Sequence, residues 1–176
     1  MSSEARLYDP AAVRLLILDV DGVMTDGRIW MDETGNRMRG FCVQDGTAIR
    51  LWQRAGLAVG VVTAKTSEAV ARRVKDLDIT LFVYGNENKL VGFERVVKDA
   101  GCSPREVCYV GDDVLDLAPM RRCGYPIAVA NAVPAVKTEA AYVTARSGGE
   151  GAIHEVVEHL LRASGRWDAA LKTYDA

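Results

Sequence analysis

Two carboxylates, Asp19 and Asp21, stand two residues apart, directly after the apolar run Leu15-Leu16-Ile17-Leu18 and before Gly22. An apolar run bounded by charge and glycine reads as a buried strand of a parallel sheet. Its acids then lie just past the carboxyl end, where open α/β sheets bind ligands. Strand side chains alternate, so the two carboxylates share one crevice only while the chain stays extended. Two like charges there repel unless a cation or a proton separates them. The pair therefore points to a site for Mg2+ and phosphate. A strand end that meets solvent with two exposed acids is the plainer alternative.

Three later features favour the site. The run Leu57-Ala58-Val59-Gly60-Val61-Val62 ends at Thr63. Lys89 opens a helical pattern after the apolar segment Leu81-Phe82-Val83-Tyr84. The run Val107-Cys108-Tyr109-Val110 ends in Gly111-Asp112-Asp113. Singly, each has a bland reading: a helix cap, a solvated lysine, a turn. In this order they set an acid pair, a hydroxyl, a lysine and a second acid pair at or near strand ends.

With these residues the chain resembles the haloacid dehalogenase superfamily of phosphotransferases. The stretch Asp19-Val20-Asp21-Gly22-Val23-Met24-Thr25-Asp26-Gly27 resembles its small capless phosphatases, which act on phosphates of eight- and nine-carbon ulosonic acids. They include the 3-deoxy-D-manno-octulosonate 8-phosphate (KDO 8-phosphate) phosphatase subfamily. Val43-Gln44-Asp45-Gly46, Asn88-Lys89-Leu90, Tyr109-Val110-Gly111-Asp112-Asp113 and Gly148-Gly149-Glu150-Gly151-Ala152 fit the same subfamily. The resemblance runs from about Arg14 to Trp167. One departure concerns specificity: the subfamily usually carries Gly-Arg after the motif threonine, and this chain has Ala64-Lys65.

The resemblance implies a set of roles that suit the residue types. Asp19 is the expected nucleophile, forming an aspartyl-phosphate that splits one hard displacement into two. Asp21 is the expected acid and then base. Mg2+ takes hard oxygen ligands, here Asp19, the Asp21 backbone carbonyl and Asp112. Thr63 and the N–H groups of Gly22 and Ala64 are expected to hold phosphate oxygens. Lys89 offsets charge on the transferring group. Lys65, Arg72 and Arg73 are candidates to meet the sugar carboxylate, and a solvated helix face is the alternative for them. Asp113 either orients Lys89 or a metal-bound water, or caps a helix; the same choice stands for Asp116. The implied reaction is Mg2+-dependent release of phosphate from KDO 8-phosphate. A nine-carbon ketodeoxynonulosonate or sialate 9-phosphate is the alternative substrate.

Composition fits a compact enzyme. The chain has 176 residues, 49% of them hydrophobic, and a net charge of −2. The length suits a single domain spanning 1–176. No basic block with interleaved aromatics suggests nucleic-acid binding. Met1–Arg6 lacks the pattern of a secretory leader, and no apolar segment approaches the length of a membrane span. The cytoplasm is the expected compartment. Cys42, Cys102, Cys108 and Cys123 lack zinc or redox spacing and read as thiols of or near the core. His154 and His159 lie about 140° apart on one helix and cannot form a metal pair there.

The elements alternate. Helices are expected from Asp45 to Gly56, Ser67 to Leu77, Asn88 to Ala100, Val114 to Arg122, Ala132 to Thr138 and Gly151 to Ala163. Ser103-Pro104-Arg105-Glu106 carries a capping box. Pro126–Ala130 and Ala141–Thr144 are expected as edge strands. The alternation gives an α/β fold, a doubly wound parallel sheet with no room for a cap domain. Residues 27–41 read as an inserted β-hairpin with its turn near Asp32–Asn36. Its Trp30, Met31, Met38 and Phe41 are more apolar than a free hairpin needs, so it should pack on something. The resemblance implies a homotetramer built through this hairpin, with active sites near subunit interfaces and a neighbour serving as lid. The tail, 164–176, is expected to end the last helix and then to lose order. Two other functions fit the residues less well. A phosphoaspartate receiver module would carry its phosphorylated Asp on a middle strand, and here that strand ends in Thr63. A silent oligomerisation module would not need both Asp19 and Asp21.

Overall fold

The apolar run Leu15–Leu18 (β1) is fully buried because a strand covers it on each edge and helices cover it on each face. This is the computed structural model of the chain, and it describes residues 8–175. The leader reading of Met1–Arg6 lies outside the described residues, as does Ala176. After β1 come a single π-type turn, Val20–Met24, and a hairpin of β2 (Trp30–Met31) and β3 (Arg37–Met38). Then follow α1 (Val43–Arg54), β4 (Ala58–Thr63), α2 (Glu68–Asp76), β5 (Leu81–Tyr84) and α3 (Lys89–Asp99). The second half holds β6 (Val107–Gly111), α4 (Leu117–Arg122), β7 (Tyr125–Ala128), α5 (Pro134–Glu139), β8 (Tyr142–Val143), α6 (Ala152–Ala163) and α7 (Trp167–Leu171).

Six strands form one parallel sheet in the order β5-β4-β1-β6-β7-β8. The order reverses direction at β1, so connections leave its two sides oppositely and open a crevice at the carboxyl ends. The registers Leu18↔Val61 and Leu18↔Val110 bring the ends of β4, β1 and β6 within two residues of one level. Helices α1, α6 and α7 pack together, as do α3, α4 and α5. The doubly wound sheet with its hairpin insert and no cap domain among the described residues is as expected.

Three expectations are corrected. β7 is internal, bordered by β6 and β8, and only β8 is an edge. Pro126 survives there because its carbonyl accepts from Ala141 N–H at 2.9 Å on the β8 side, just before β8 begins. The missing proline donor therefore costs no ladder bond. The helix expected from Val114 to Arg122 divides into a short 3-10 turn, Val114–Asp116, and α4. The tail does not fray after the last long helix. It folds into α7, where Trp167 lies edge-on to His154 and under Arg162. Beyond it Arg54 donates to Thr173 O at 3.1 Å and covers the Tyr174 ring.

The loop before α6 presses on the turn after β1. Gly148 N–H donates to Asn131 Oδ1 at 2.7 Å, and Asn131 Nδ2 donates to Gly22 O at 3.0 Å. A Cβ on Gly148 would overlap the Gly22 carbonyl. Gly148→Ala is therefore expected to lower stability by about 1–3 kcal/mol, the usual cost of overpacking. Urea unfolding checks it, and an unchanged midpoint would mean that the two loops separate freely.

Candidate active site

Asp19 stays extended for one residue past β1, because its N–H donates to Val110 O at 3.1 Å. The chain then turns sharply, with Gly22 at φ +95. Only glycine adopts this conformation readily. A side chain here would also collide with the Asp112 carboxylate. Closing the turn, Thr25 N–H donates to Val20 O at 3.1 Å. Asp19, Asp21, Thr63, Ala64, Lys65, Lys89, Asp112 and Asp113 line one pocket of about 250 Å³, with Gly27, Ile29 and Leu115.

The Lys89 ammonium organises the pocket floor. It lies 2.9 Å from Asp19 Oδ1 and 2.7 Å from Asp116 Oδ1, with all three side chains buried. Lys89 is the first residue of α3, capped by Asn88, whose side chain accepts from Leu90 N–H. A cation is disfavoured at a helix N-terminus. The two carboxylates outweigh that. Burial alone would lower the Lys89 pKa, but the charges on Asp19 and Asp116 hold it above its ordinary value.

Asp116 has no capacity left for a ligand. Its Oδ1 accepts from Lys89 and from the Tyr109 hydroxyl, each at 2.7 Å. Its Oδ2 accepts from Asp112 N–H at 3.1 Å and Asp113 N–H at 3.2 Å. Four donors match the four lone-pair sites of a carboxylate. Burial and the Asp116 charge keep Tyr109 protonated, far above the usual phenol range.

Asp19 and Asp112 are in the opposite state. Oxygens of Asp19, Asp112 and Asp116 lie within 4.8 Å of one another. Asp112 Oδ1 is buried with no hydrogen-bond partner. Burial, then the charge of Asp116, raises the Asp19 pKa well above its usual value. The same two causes push Asp112 up to about 6. Crowded carboxylates that resist ionisation, one with an orphaned oxygen, fit a hard divalent cation bound by Asp19 and Asp112.

The expected site residues fall into two groups. Asp19, Asp21, Thr63, Ala64, Lys65, Lys89 and Asp112 converge on the pocket. Thr63 Oγ1 accepts from Lys65 N–H at 3.5 Å, which leaves its proton for an anion. Gly22 lies beneath, and its N–H already donates to Thr25 Oγ1 at 3.3 Å, not towards an anion. Arg73 is elsewhere. It packs against α1, donates to Cys42 O at 3.3 Å and lies 5.8 Å over the Phe41 ring. Its place on α2 turns it to α1, so its expected contact with the sugar carboxylate is not made within this chain. Arg72 pairs with Glu68 on the exposed face. Asp113 caps the turn after β6 by accepting from Val114 N–H at 2.7 Å, and Asp116 orients Lys89 instead.

One contributor had no local sequence signal. Arg39, beside β3, grips Asp21 from 18 residues away. Asp45, expected to begin α1, sits inside it, buried, and accepts from His154 N–H at 2.9 Å at the start of α6. Burial raises its pKa despite that bond.

Comparison with known proteins agrees with this geometry. Residues 78–156 match the model of the haloacid dehalogenase-like hydrolase family. The 3-deoxy-D-manno-octulosonate 8-phosphate phosphatase KdsC of Escherichia coli K12 is 40% identical over 158 residues, which is 90% of this chain and 84% of that one. The Moraxella catarrhalis enzyme of the same name, solved with a magnesium ion, a phosphate ion and KDO, superposes with a TM-score of 0.90. It is 32% identical, and the match covers 94% of this chain and 95% of that one. The Yersinia pestis enzyme gives a TM-score of 0.88 at 37% identity, covering 90% and 86%.

Because Asp112 titrates at about 6, protons compete with a cation below that value. Apparent Mg2+ affinity should fall roughly tenfold from about pH 7 to about pH 5, since ligands must be deprotonated to bind. Calorimetric titration checks this. Affinity independent of pH would remove Asp112 from the ligand set.

Proposed function

Since the chain belongs to the haloacid dehalogenase superfamily, within its capless KDO 8-phosphate phosphatase subfamily, we propose that it hydrolyses KDO 8-phosphate to KDO and phosphate with Mg2+. The buried Asp19–Lys89–Asp116 arrangement carries this reading. It holds one carboxylate ready to attack and a fixed positive charge where an anion must sit. The relatives at 40% identity are phosphatases of that substrate.

Asp19 attacks phosphorus and holds the phosphoryl group as an aspartyl-phosphate. Asp21 gives its proton to the departing sugar oxygen, then takes one from the water that frees the phosphate. The Thr63 hydroxyl and the Ala64 N–H orient phosphate oxygens. Lys89 stabilises the charge on those oxygens as the bond loosens. Asp19 and Asp112 would hold Mg2+ with the Asp21 carbonyl, and Mg2+ would supply charge neutralisation between nucleophile and phosphate. Lys65, exposed at the pocket rim, is placed to meet the sugar carboxylate. Arg is the better fork for a carboxylate, so Lys65 bears on the choice between eight- and nine-carbon substrates.

We further propose a homotetramer with its sites near subunit interfaces. Trp30, Met31 and Met38 on the hairpin are 59%, 66% and 63% exposed, and Gly27 and Ile29, just before it, line the pocket. A neighbour on the hairpin would cover this apolar surface and narrow the pocket mouth. The cytoplasm suits cysteines that form no disulfide among the described residues. No helix among the described residues is long and apolar enough to cross a membrane.

Asp19→Asn should abolish Mg2+-dependent phosphate release and leave the fold intact by circular dichroism. Activity close to wild type would sink the mechanism. Assayed side by side, KDO 8-phosphate should outpace a sialate-type 9-phosphate, and the reverse order would make Lys65 a nine-carbon specificity residue. Trp30→Glu with Met38→Glu should reduce the assembly to monomers in light scattering and depress kcat/KM. An unchanged mass would exclude the hairpin as the interface.

A further inference from the structure

From Met31 to Gly40 every residue is exposed except Arg39. The Arg39 side chain is only 3% exposed. Its Nε donates to Asp21 Oδ1 at 2.6 Å, one terminal nitrogen donates to Asp21 Oδ2 at 3.3 Å, and the other to Ser67 Oγ at 3.1 Å. All three guanidinium nitrogens are therefore engaged. The fork grips both oxygens of one carboxylate, the geometry that fixes the carboxylate plane and not just its position.

Ser67 gives a second observation. It occupies the N-cap of α2 but makes no side-chain cap bond. A serine there ordinarily accepts from a helix N–H. Its hydroxyl oxygen instead accepts from Arg39. Ser67 starts the helix that follows the Thr63-Ala64-Lys65 loop of the pocket. One buried guanidinium thus ties the turn after β1, the hairpin and the β4–α2 loop together.

Arg39 is not among the residues lining the pocket, and Asp21 is. It therefore acts through Asp21 and not on the substrate. We propose that Arg39 is a positioning residue for proton transfer: it aims the Asp21 carboxyl at the leaving sugar oxygen. This rests on the phosphatase reading and on the acid role of Asp21 within it. The grip is uneven, shorter at Oδ1 and longer at Oδ2. Oδ2 is accordingly the more loosely held oxygen, the one freer to exchange a proton. When the P–O bond to the sugar breaks, the bonding pair stays on the sugar oxygen and the proton passes to it from Oδ2. The attacking water later returns a proton to the same oxygen.

The consequence is selective by leaving group. A sugar alkoxide needs the proton, whereas p-nitrophenolate leaves without it. Arg39→Met should lower kcat/KM for KDO 8-phosphate by about a hundredfold, the scale of general acid catalysis, and for p-nitrophenyl phosphate by less than ~threefold. Arg39→Lys should recover part of the loss, and Ser67→Ala should show the same selectivity in milder form. Inhibition by inorganic phosphate should stay as in the wild type. Equal losses on both substrates, loss of phosphate inhibition, or no loss at all would overturn the proposal. Failure of the phosphatase reading is distinct, since the wild type itself would then release no phosphate from either substrate.

Discussion

The rest of the site depends on one buried ammonium held between two buried carboxylates. Lys89 touches Asp19 and Asp116 at hydrogen-bonding distance, and none of the three is more than slightly exposed. Buried ions are costly unless paired and fully bonded. Asp116 meets that condition with four donors, and Lys89 is paired with two carboxylates. Asp112 does not, since its Oδ1 is buried without a partner, and it lines the pocket beside Asp19. The imbalance is directional. The protein satisfies its charges on the inner side and leaves the outer side for a cation and a phosphate.

The sheet makes this possible. Parallel strands in the order β4-β1-β6 finish within two residues of one level. The strand ends themselves then deliver Thr63, Asp19 and Asp112 to one crevice with little loop entropy to overcome. Around them, rigid contacts replace the missing cap. The Asn131 amide and Gly148 brace the turn at Gly22. Arg39 braces Asp21 from the hairpin side. The same hairpin presents exposed Trp30, Met31 and Met38 on its other residues. That apolar surface therefore lies on the same hairpin as the residue that grips Asp21.

Much of this was legible in the sequence, for definite reasons. Buried parallel strands are continuous apolar runs, so β1, β4 and β6 declared themselves, and the chemistry followed at their ends. Hairpin and helices followed from turn residues and apolar spacing, with boundaries off by a residue or two. Several of the misses were long-range. Nothing near Arg39 announces Asp21, and nothing near Asp45 announces the start of α6. Arg73 lies on a helix whose sequence reads as basic and exposed, yet the rotation of α2 against α1 turns it onto Phe41. Asp113 and Asp116 each read either as a cap or as a residue orienting Lys89 or a metal-bound water. Only burial separates them: Asp116 is inaccessible and bonded to Lys89, while Asp113 is a simple cap. β7 proved internal because β8 pairs with it beyond Pro126, through Ile127 and Ala128.

The central claim is that Asp19, held by Lys89, carries the phosphoryl group. The most direct measurement is rapid acid quenching of the protein during turnover of radiolabelled KDO 8-phosphate with Mg2+, followed by peptide mapping. The account predicts protein-bound phosphate that is stable in acid, labile in base and confined to the peptide containing Asp19. Labelled phosphate released steadily with no label on the protein at any time, or label on a different peptide, would contradict it.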